Sequence, residues 1–377
     1  MSEQAAAWAA HKFGGDGVAH ALSIGLIGPG SVGSTFLNQL SSQAERLERD
    51  FNLGLRVRGV ASSKRMALFD SGADLADWRA AVESAAKPVD MERFLDHVHA
   101  EHHPHSVIID CSASEEVARR YPEFFARGIH VVTANKKAHS ADMNFFESMS
   151  QTRRGSGAHY LYETTVAAGL PVVRTTRELR DTGDEITCIE GIFSGTLAYL
   201  FNIYDGKTPF SSVVATARRL GYTEPDPRDD LSGLDVARKL IILAREMGLS
   251  LELSDVAIES LVPAALQDES IEDFMKRLSE YDAQMKQRFD AARRKGAVLR
   301  HVGRVMSSGE AHVGVVELDA TAPLAKTALT DNIVRFTTHR YNANPLIVQG
   351  PGAGPAVTAG GVFADLLRLA SYLGARM

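Results

Sequence analysis

Apolar residues recur along the chain in two periods, and the switches between them mark the expected elements. A short apolar run, Leu22–Ile27, leads into a glycine turn and then into Phe36, Leu37 and Leu40 at helical spacing. A second strand is expected at Leu55–Ala61, a third at Ser106–Asp110 and a fourth at Ile129–Thr133, behind Gly128. One helix, Glu115–Arg127, should link the third strand to the fourth. Strands that alternate with helices in this way predict an α/β doubly wound parallel sheet. Beyond it the pattern changes. Residues 159–173 read as a strand and a small-residue turn, and 186–203 as a strand that breaks at Ser194-Gly195-Thr196 and turns helical. Residues 211–220 form a short helix, and 254–290 are helical and charged. Strands follow at Val298–Val305 and His312–Leu318, so this half is mixed α+β. An apolar helix, Ala356–Leu373, closes the chain after Gly350-Pro351-Gly352-Ala353-Gly354.

Residues 221–239, GYTEPDPRDDLSGLDVARK, stand apart from this pattern. They carry Glu224, Asp226, Asp229, Asp230 and Asp235, and end on Lys239. Pro225 and Pro227 keep Thr223–Asp226 out of any helix, which predicts a rigid, extended acidic loop. From Ser232 a helical stripe runs through Val236, Leu240, Leu243 and Met247, with Asp230 or Ser232 as the cap and Gly248 as the stop. Asp235 and Lys239 are four apart and meet on one helix face. Such a pair is either a surface ion pair or a proton-transferring lysine oriented by a carboxylate. Spacing alone leaves both open.

Composition narrows the class. A chain of 377 residues suits two or three domains, and 45% hydrophobic with 23% charged residues is globular. The net charge of −6 offers no footprint for nucleic acid or an anionic membrane, and no apolar run is long enough to span a bilayer. Cys111 and Cys188 are the only cysteines, which suits free thiols in a reducing cytoplasm. Residues 1–21 read as a mobile Ala/Gly-rich leader.

The chemistry begins at the first turn. Gly28-Pro29-Gly30-Ser31-Val32-Gly33 is G-x-G-x-x-G between strand and helix, the fingerprint of a Rossmann dinucleotide site. Gly28 makes the turn, Gly30 admits the pyrophosphate to the backbone beside Val32, and Gly33 lets helix and strand close up. The second strand ends on Ser62-Ser63-Lys64-Arg65, not on an acid. Ser62, Lys64 and Arg65 suit a 2′-phosphate, favouring NADP(H) over NAD(H); a solvated turn is the bland alternative. Cys111-Ser112-Ala113-Ser114 ends the third strand and should border the cofactor. Thr133-Ala134-Asn135-Lys136-Lys137 ends the fourth, where a lysine could polarise a carbonyl oxygen. The five histidines within 94–105 (His97, His99, His102, His103 and His105) lack the spacing of a metal site and read as a hydrophilic surface segment.

In order, GLIGPGSVGS, VVTANKKA, YETTVAAGLPVV, GIFSGTLAYLF, GYTEPDPRDDLSGLDVARK and GPGAGPAVTAGGVFADLL resemble homoserine dehydrogenase, from about residue 22 to the C-terminus. The match is best to the dehydrogenase half of bifunctional aspartokinase–homoserine dehydrogenases. With no kinase ahead and no ACT domain behind in this sequence, a stand-alone enzyme and an excised domain are both open, and threonine feedback through those modules is not expected. The resemblance implies reversible NADPH-dependent reduction of aspartate 4-semialdehyde to homoserine, serving threonine, methionine and isoleucine synthesis. It implies a Rossmann domain (22–160 plus 340–377), a catalytic and dimerisation domain (161–339) and a homodimer. Lys239 matches the family's proton donor, and Lys136 a lysine near nicotinamide and substrate. Gly221, Glu224 and Asp235 match substrate contacts, with Asp230 in the same cluster. Ser112 and Gly354 match cofactor contacts. A monovalent cation, Na⁺ or K⁺, would be held by Glu163 and the carbonyls of Val166, Ala168 and Leu170. Which lysine transfers the proton stays open, with Lys239 favoured because Asp235 can orient it. The rival readings are another NADP-dependent reductase of an amino-acid semialdehyde or oxo acid, and a non-catalytic NADP-binding regulator.

Overall fold

The computed structural model describes residues 20–85, 88–99 and 105–377, which form two compact units. The first takes the described residues up to Thr165 together with Gly354–Met377; the second is Val166–Ala353.

The first unit is built on a six-stranded sheet of order β3-β2-β1-β4-β5-β6. Its strands are β1 (His20–Ile27), β2 (Leu53–Ala61), β3 (Met66–Leu68), β4 (His105–Asp110), β5 (His130–Thr133) and β6 (Tyr160–Leu161). Every pairing is parallel except that of β2 with β3. The chain winds outward from β1 to β2 and then back to β4 on its other side, so the winding reverses between β1 and β4. Ligands bind at that reversal in open α/β sheets. The helices are α1 (Ser31–Phe51), α2 (Trp78–Ser84), α3 (Met91–Val98), α4 (Glu115–Arg119), α5 (Tyr121–Ala126) and α6 (Met143–Ser156). Leu22, Ile24 and Leu26 pack with Phe36, Leu37 and Leu40 of α1 and with Val362, Leu366 and Leu369 of the C-terminal helix (Pro355–Tyr372). Each such side chain stabilises the fold by about 1.5–3 kcal/mol, so the last helix completes this core.

Local departures have local causes. The single helix expected over 115–127 is two, meeting at Arg120. Pro122 has no N–H to offer the Ala118 carbonyl, so the helix cannot run through. The strand expected from residue 159 stops at Leu161, and Glu163–Thr165 forms a 3₁₀ turn. β1 takes in His20 and Ala21, while residues 1–19 of the expected leader lie outside the described residues.

The histidines are not simply a surface segment. His97 is half-buried, within 3.4 Å of Arg58 Nη2 and 3.2 Å of the Phe69 carbonyl. His102 and His103 lie outside the described residues. His105, His130 and His159 stack at successive centroid distances of 6.0 and 5.3 Å. Burial, with His159, His105 and His99 nearby, pushes the His130 pKa down to about 4. An unfolded histidine titrates near 6.5, so the unfolded state takes up its proton first as the pH falls. Stability is therefore complete above pH 6.5 and is lost between 6.5 and about 4, by about 3 kcal/mol in all. Melting temperature against pH should fall over that window and fall less steeply in His130→Asn, whose amide oxygen can still accept the His159 N–H. An identical slope would refute the assignment.

The second unit has a sheet of order β12-β11-β7-β9-β10-β8. The strands are β7 (Ile186–Ile192), β8 (Val256–Ile258), β9 (Ala297–Met306), β10 (Ala311–Asp319), β11 (Asp331–Thr338) and β12 (Leu346–Pro351), antiparallel except β8 with β10. Its helices are α7 (Val172–Asp181), α8 (Gly195–Ile203), α9 (Phe210–Arg219), α10 (Pro227–Leu231), α11 (Leu234–Glu246), α12 (Ile271–Arg277) and α13 (Asp282–Arg294). α11 lies flat on β9 because Gly303 carries no side chain: a Cβ there would be 3.0 Å from Val236 Cγ1 and 3.2 Å from Leu240 Cδ2. β8, β11 and β12 are strands beyond those expected from the sequence. β8 has three residues, and β12 is an edge strand ending in Gly350-Pro351. Because β12 pairs with β11, the chain returns to the first unit at Gly354, whereas the sequence places that boundary at 339/340.

Candidate active site

In the first unit the glycine turn is formed as its spacing demands. Gly28 has φ +84°, and a Cβ on it would come within 2.7 Å of the Ser112 nitrogen. The turn after β1 is thereby pressed against the end of β4. A Cβ on Gly33 would overlap the Gly28 carbonyl oxygen, so helix and turn close only on glycine. At Gly30 a Cβ would meet nothing within 4 Å. Gly30 caps α1 with no side chain of its own, and Val32 is half-buried in the first turn. Open space before bare N–H groups at a helix N-terminus suits a pyrophosphate.

Three further loops follow β2, β4 and β5 at the same ends of these parallel strands. Ser62 folds the end of β2 onto itself: its hydroxyl accepts from Arg65 N at 3.0 Å and Lys64 N at 3.3 Å. Lys64 is exposed, whereas the Arg65 guanidinium donates to the Glu83 carbonyl. The other loops depend on Asp110, which belongs to no sequence motif. Its fully buried carboxylate accepts from Ser112 N at 2.8 Å, Tyr121 OH at 2.7 Å and Asn135 Nδ2 at 3.0 Å. Burial raises its pKa against those three hydrogen bonds. The Asn135 amide also donates to the Ser114 carbonyl at 2.8 Å. Asp110 thus fixes the 111–114 loop and the loop that carries half-buried Lys136. The only signal in the sequence is an acid ending an apolar strand. Gly354, at φ +115°, opens the C-terminal helix with Pro355 behind it.

In the second unit Lys239 is buried, at 8% exposure, so the surface-pair reading does not hold. Its ammonium donates to the Phe193 carbonyl at 2.6 Å and meets Asp235 Oδ2 at 2.8 Å, while Asp235 itself is exposed. Phe193 precedes the Ser194-Gly195-Thr196 turn, where the Ser194 hydroxyl accepts from Leu197 N and caps α8. The Thr196 hydroxyl donates to the Tyr222 carbonyl at 2.6 Å. Asp230 accepts the Glu224 N–H at 2.8 Å. Burial raises the Asp230 pKa, and Glu224 and Asp235 add to the rise. The negative field of these two carboxylates at Asp230 is one that a nearby cation would relieve.

Thr223–Asp226 lies outside any helix, as expected, but the acidic stretch beyond it is not extended. Pro227 sits at the start of α10, where a proline is pre-organised for a helix and its missing N–H costs nothing. Asp230 is therefore on a helix. α11 begins after Gly233, at φ +74°, with no side-chain cap; Asp230 and Ser232 are turned to Glu224 N and Leu234 N. Gly248, at φ +90°, stops α11, with the Leu249 N–H returning to the Ala244 carbonyl. Gly221, at φ +75°, ends α9 in the same way.

Along 163–170, Glu163 is buried and its N–H donates to Asp365 at 2.9 Å. Ala167 and Ala168 are both left-handed, at φ +56° and +53°. Left-handed non-glycine residues cost about 1–2 kcal/mol each, and strain of this kind gathers at functional sites. The Leu170 carbonyl accepts from Val172 N at 2.8 Å. Among the described residues no group of three or more His, Cys, Asp or Glu side chains is placed to hold a metal ion; a site of carbonyls and one carboxylate is of another kind. Cys111 and Cys188 are free; burial raises the thiol pKa of both, Cys188 to about 11, so neither is a reactive thiolate. No helix among the described residues is long and apolar enough to cross a membrane.

A glycine turn of the dinucleotide-binding type and a buried lysine paired with an exposed carboxylate are parts that a nicotinamide-dependent oxidoreductase would use. The family models for homoserine dehydrogenase match residues 171–367, and for its NAD binding domain residues 28–163. The chain belongs to the homoserine dehydrogenase family. It is 51% identical over 360 residues to bifunctional aspartokinase/homoserine dehydrogenase 2, chloroplastic, of Arabidopsis thaliana, covering 94% of this chain and 39% of that protein. The chain thus spans about two fifths of the length of that relative. A solved Candida auris protein, described as of unknown function, is 36% identical with TM-score 0.86, covering 93% of this chain and 98% of that one. A hyperthermophilic archaeal homoserine dehydrogenase solved in complex with NADPH has TM-score 0.71 at 20% identity, covering 94% and 99%; that likeness shows the fold alone.

Proposed function

We propose that the chain reversibly reduces aspartate 4-semialdehyde to homoserine with NADPH, in the synthesis of threonine, methionine and isoleucine. The observation that carries this reading is the buried Lys239 ammonium, fixed by Asp235 and the Phe193 carbonyl within a cluster of carboxylates. Family membership supplies the substrate; the residues supply the chemistry. Glu224, Asp230 and Asp235, with Gly221 shaping the loop, attract the α-ammonium. Lys239 stabilises the charge growing on the aldehyde oxygen and gives it a proton. Lys136 is a second cation for the same oxygen or for the cofactor.

The nicotinamide supplies the hydride in reduction and accepts it in oxidation. Gly28, Gly30, Val32, Gly33, Ser112 and Gly354 hold the dinucleotide. The residues present suit NADPH: a 2′-phosphate meets exposed Lys64, Ser62 donates to it on leaving the Arg65 carbonyl at 3.0 Å, and the turn itself carries no acid to oppose it. Arg65 reaches the phosphate only by leaving the Glu83 carbonyl. Na⁺ or K⁺ would be held by Glu163 and the carbonyls of Val166, Ala168 and Leu170, and its binding would offset part of the cost of the left-handed backbone at Ala167 and Ala168. The reading includes a homodimer formed through the second unit. It places the reaction in the cytoplasm, to which two free cysteines are suited; the Arabidopsis relative is described as chloroplastic.

The test is homoserine oxidation in K⁺ buffer, followed at the reduced-nicotinamide band with NADP⁺ and with NAD⁺. The expected result is turnover with NADP⁺ at about tenfold or more the kcat/KM with NAD⁺, roughly the 1.4 kcal/mol of one charge-assisted contact. Equal rates would keep the reaction and discard the role of Ser62, Lys64 and Arg65. No turnover by folded protein would overturn the reading.

A further inference from the structure

Arg228 occupies a position that no matched motif role explains. Its side chain is 17% exposed, and its guanidinium uses both edges. Nε reaches Asp226 Oδ1 and Oδ2 at 3.0 Å each, and Nη2 reaches Oδ2 at 2.7 Å. Nη1 donates to the carbonyls of Glu269 at 2.6 Å, Gln267 at 2.9 Å and Leu266 at 3.5 Å. The Phe274 ring lies under the cation, 5.5 Å from centroid to Cζ. The Leu266 and Gln267 carbonyls end the 3₁₀ turn Ala264–Leu266 and lack partners within it. Asp226 is the N-cap of α10, accepting from Arg228 N at 3.0 Å. On the far end of the same helix the Leu231 carbonyl accepts from Leu261 N at 2.9 Å. α10 is thus tied at both ends to the 261–269 segment, and it carries Asp230, whose carboxylate holds the Glu224 N–H.

We infer that Arg228 is the positioning residue of the acidic substrate loop: it clamps α10 to the carbonyls of 266–269 and so sets where Glu224 and Asp230 meet the substrate ammonium. The inference rests on the proposed function. Only a planar fork of donors serves a carboxylate on one side and three carbonyls on the other, so lysine is not an equivalent. The clamp leaves Lys239 alone, because the Lys239 partners, Phe193 and Asp235, lie on other elements. Holding an ammonium equally in ground and transition states affects KM more than kcat.

The experiment compares wild type with Arg228→Gln, Arg228→Lys and Asp226→Asn in homoserine oxidation, alongside NADP⁺ affinity by calorimetry. Arg228→Gln should raise the homoserine KM about tenfold or more, with kcat within about threefold and NADP⁺ affinity unchanged. Arg228→Lys should not restore KM. Asp226→Asn, which keeps the carbonyl bonds, should raise KM less. An unchanged KM in folded Arg228→Gln overturns the inference, as does a fall in kcat that matches the rise in KM. If Arg228→Gln does not fold, an unchanged KM in Asp226→Asn overturns it. A wild type without turnover overturns the functional reading and this inference together; wild-type turnover with unaltered variants overturns this inference alone.

Discussion

Lys239→Ala should lower kcat for homoserine oxidation about a thousandfold while NADP⁺ binds as before. The size follows from what is removed. A positioned acid–base group contributes typically about 10²–10⁴ in rate, and a charge aimed at a developing oxyanion is of the same order. Lys239 can be both. It is buried, held 2.6 Å from the Phe193 carbonyl and 2.8 Å from Asp235, and its helix is fixed against β9 at Gly303. The variant leaves the Phe193 carbonyl without this donor, and an unsatisfied buried carbonyl costs about 1–3 kcal/mol. A lower melting temperature is therefore expected as well, and the kinetic loss must be read on folded protein. Lys239→Arg keeps the charge but not the single point donor, and should recover little. A kcat within threefold of wild type in Lys239→Ala would move proton transfer to Lys136 or to water.

The second large effect is at the glycine turn, where two neighbouring glycines should respond differently. A Cβ on Gly33 overlaps the Gly28 carbonyl oxygen, which is backbone and cannot rotate aside. Gly33→Ala should therefore open the turn, lower the melting temperature and reduce dinucleotide affinity at least a hundredfold, about 2.7 kcal/mol. A Cβ on Gly30 meets no protein atom within 4 Å. Gly30→Ala should fold like wild type and still bind NADPH more weakly, because the methyl occupies space meant for the pyrophosphate. Fluorescence titration of NADPH, read beside thermal unfolding, separates the two. Wild-type affinity in Gly30→Ala would mean that the pyrophosphate does not approach that backbone.

The sequence is most legible where one residue type has one physical use. The spacing of Gly28, Gly30 and Gly33 assigns each a separate job, and what a Cβ would meet at each position agrees with that job. The α11 stripe through Val236, Leu240 and Leu243 is readable from spacing, and all three are buried. What spacing does not give is depth. Asp235 and Lys239 four residues apart describe a surface pair as well as a buried one, and the difference lies in Phe193, forty-six residues away in the chain. Asp110 shows in the sequence only as an acid ending an apolar strand, because its partners Tyr121 and Asn135 come from elements that only the sheet brings together. Arg228 reads as one more charge in a charged loop, since its three carbonyl partners carry no side-chain signature. β11 and β12 carry strand formers in Ile333, Val334, Phe336, Thr337 and Thr338 and in Ile347 and Val348, so local composition marks them although neither is among the strands expected above. Pro122 and Pro227 are equally visible in the sequence; both lie in the first turn of a helix, and Pro122 also keeps the preceding helix from running on, because it has no N–H for the Ala118 carbonyl.

The most direct test is absorbance at the reduced-nicotinamide band on mixing the protein with NADPH and aspartate 4-semialdehyde in K⁺ buffer. Loss of absorbance with stoichiometric appearance of homoserine, abolished in Lys239→Ala, is the predicted result. Steady absorbance from folded, NADPH-bound protein would contradict it.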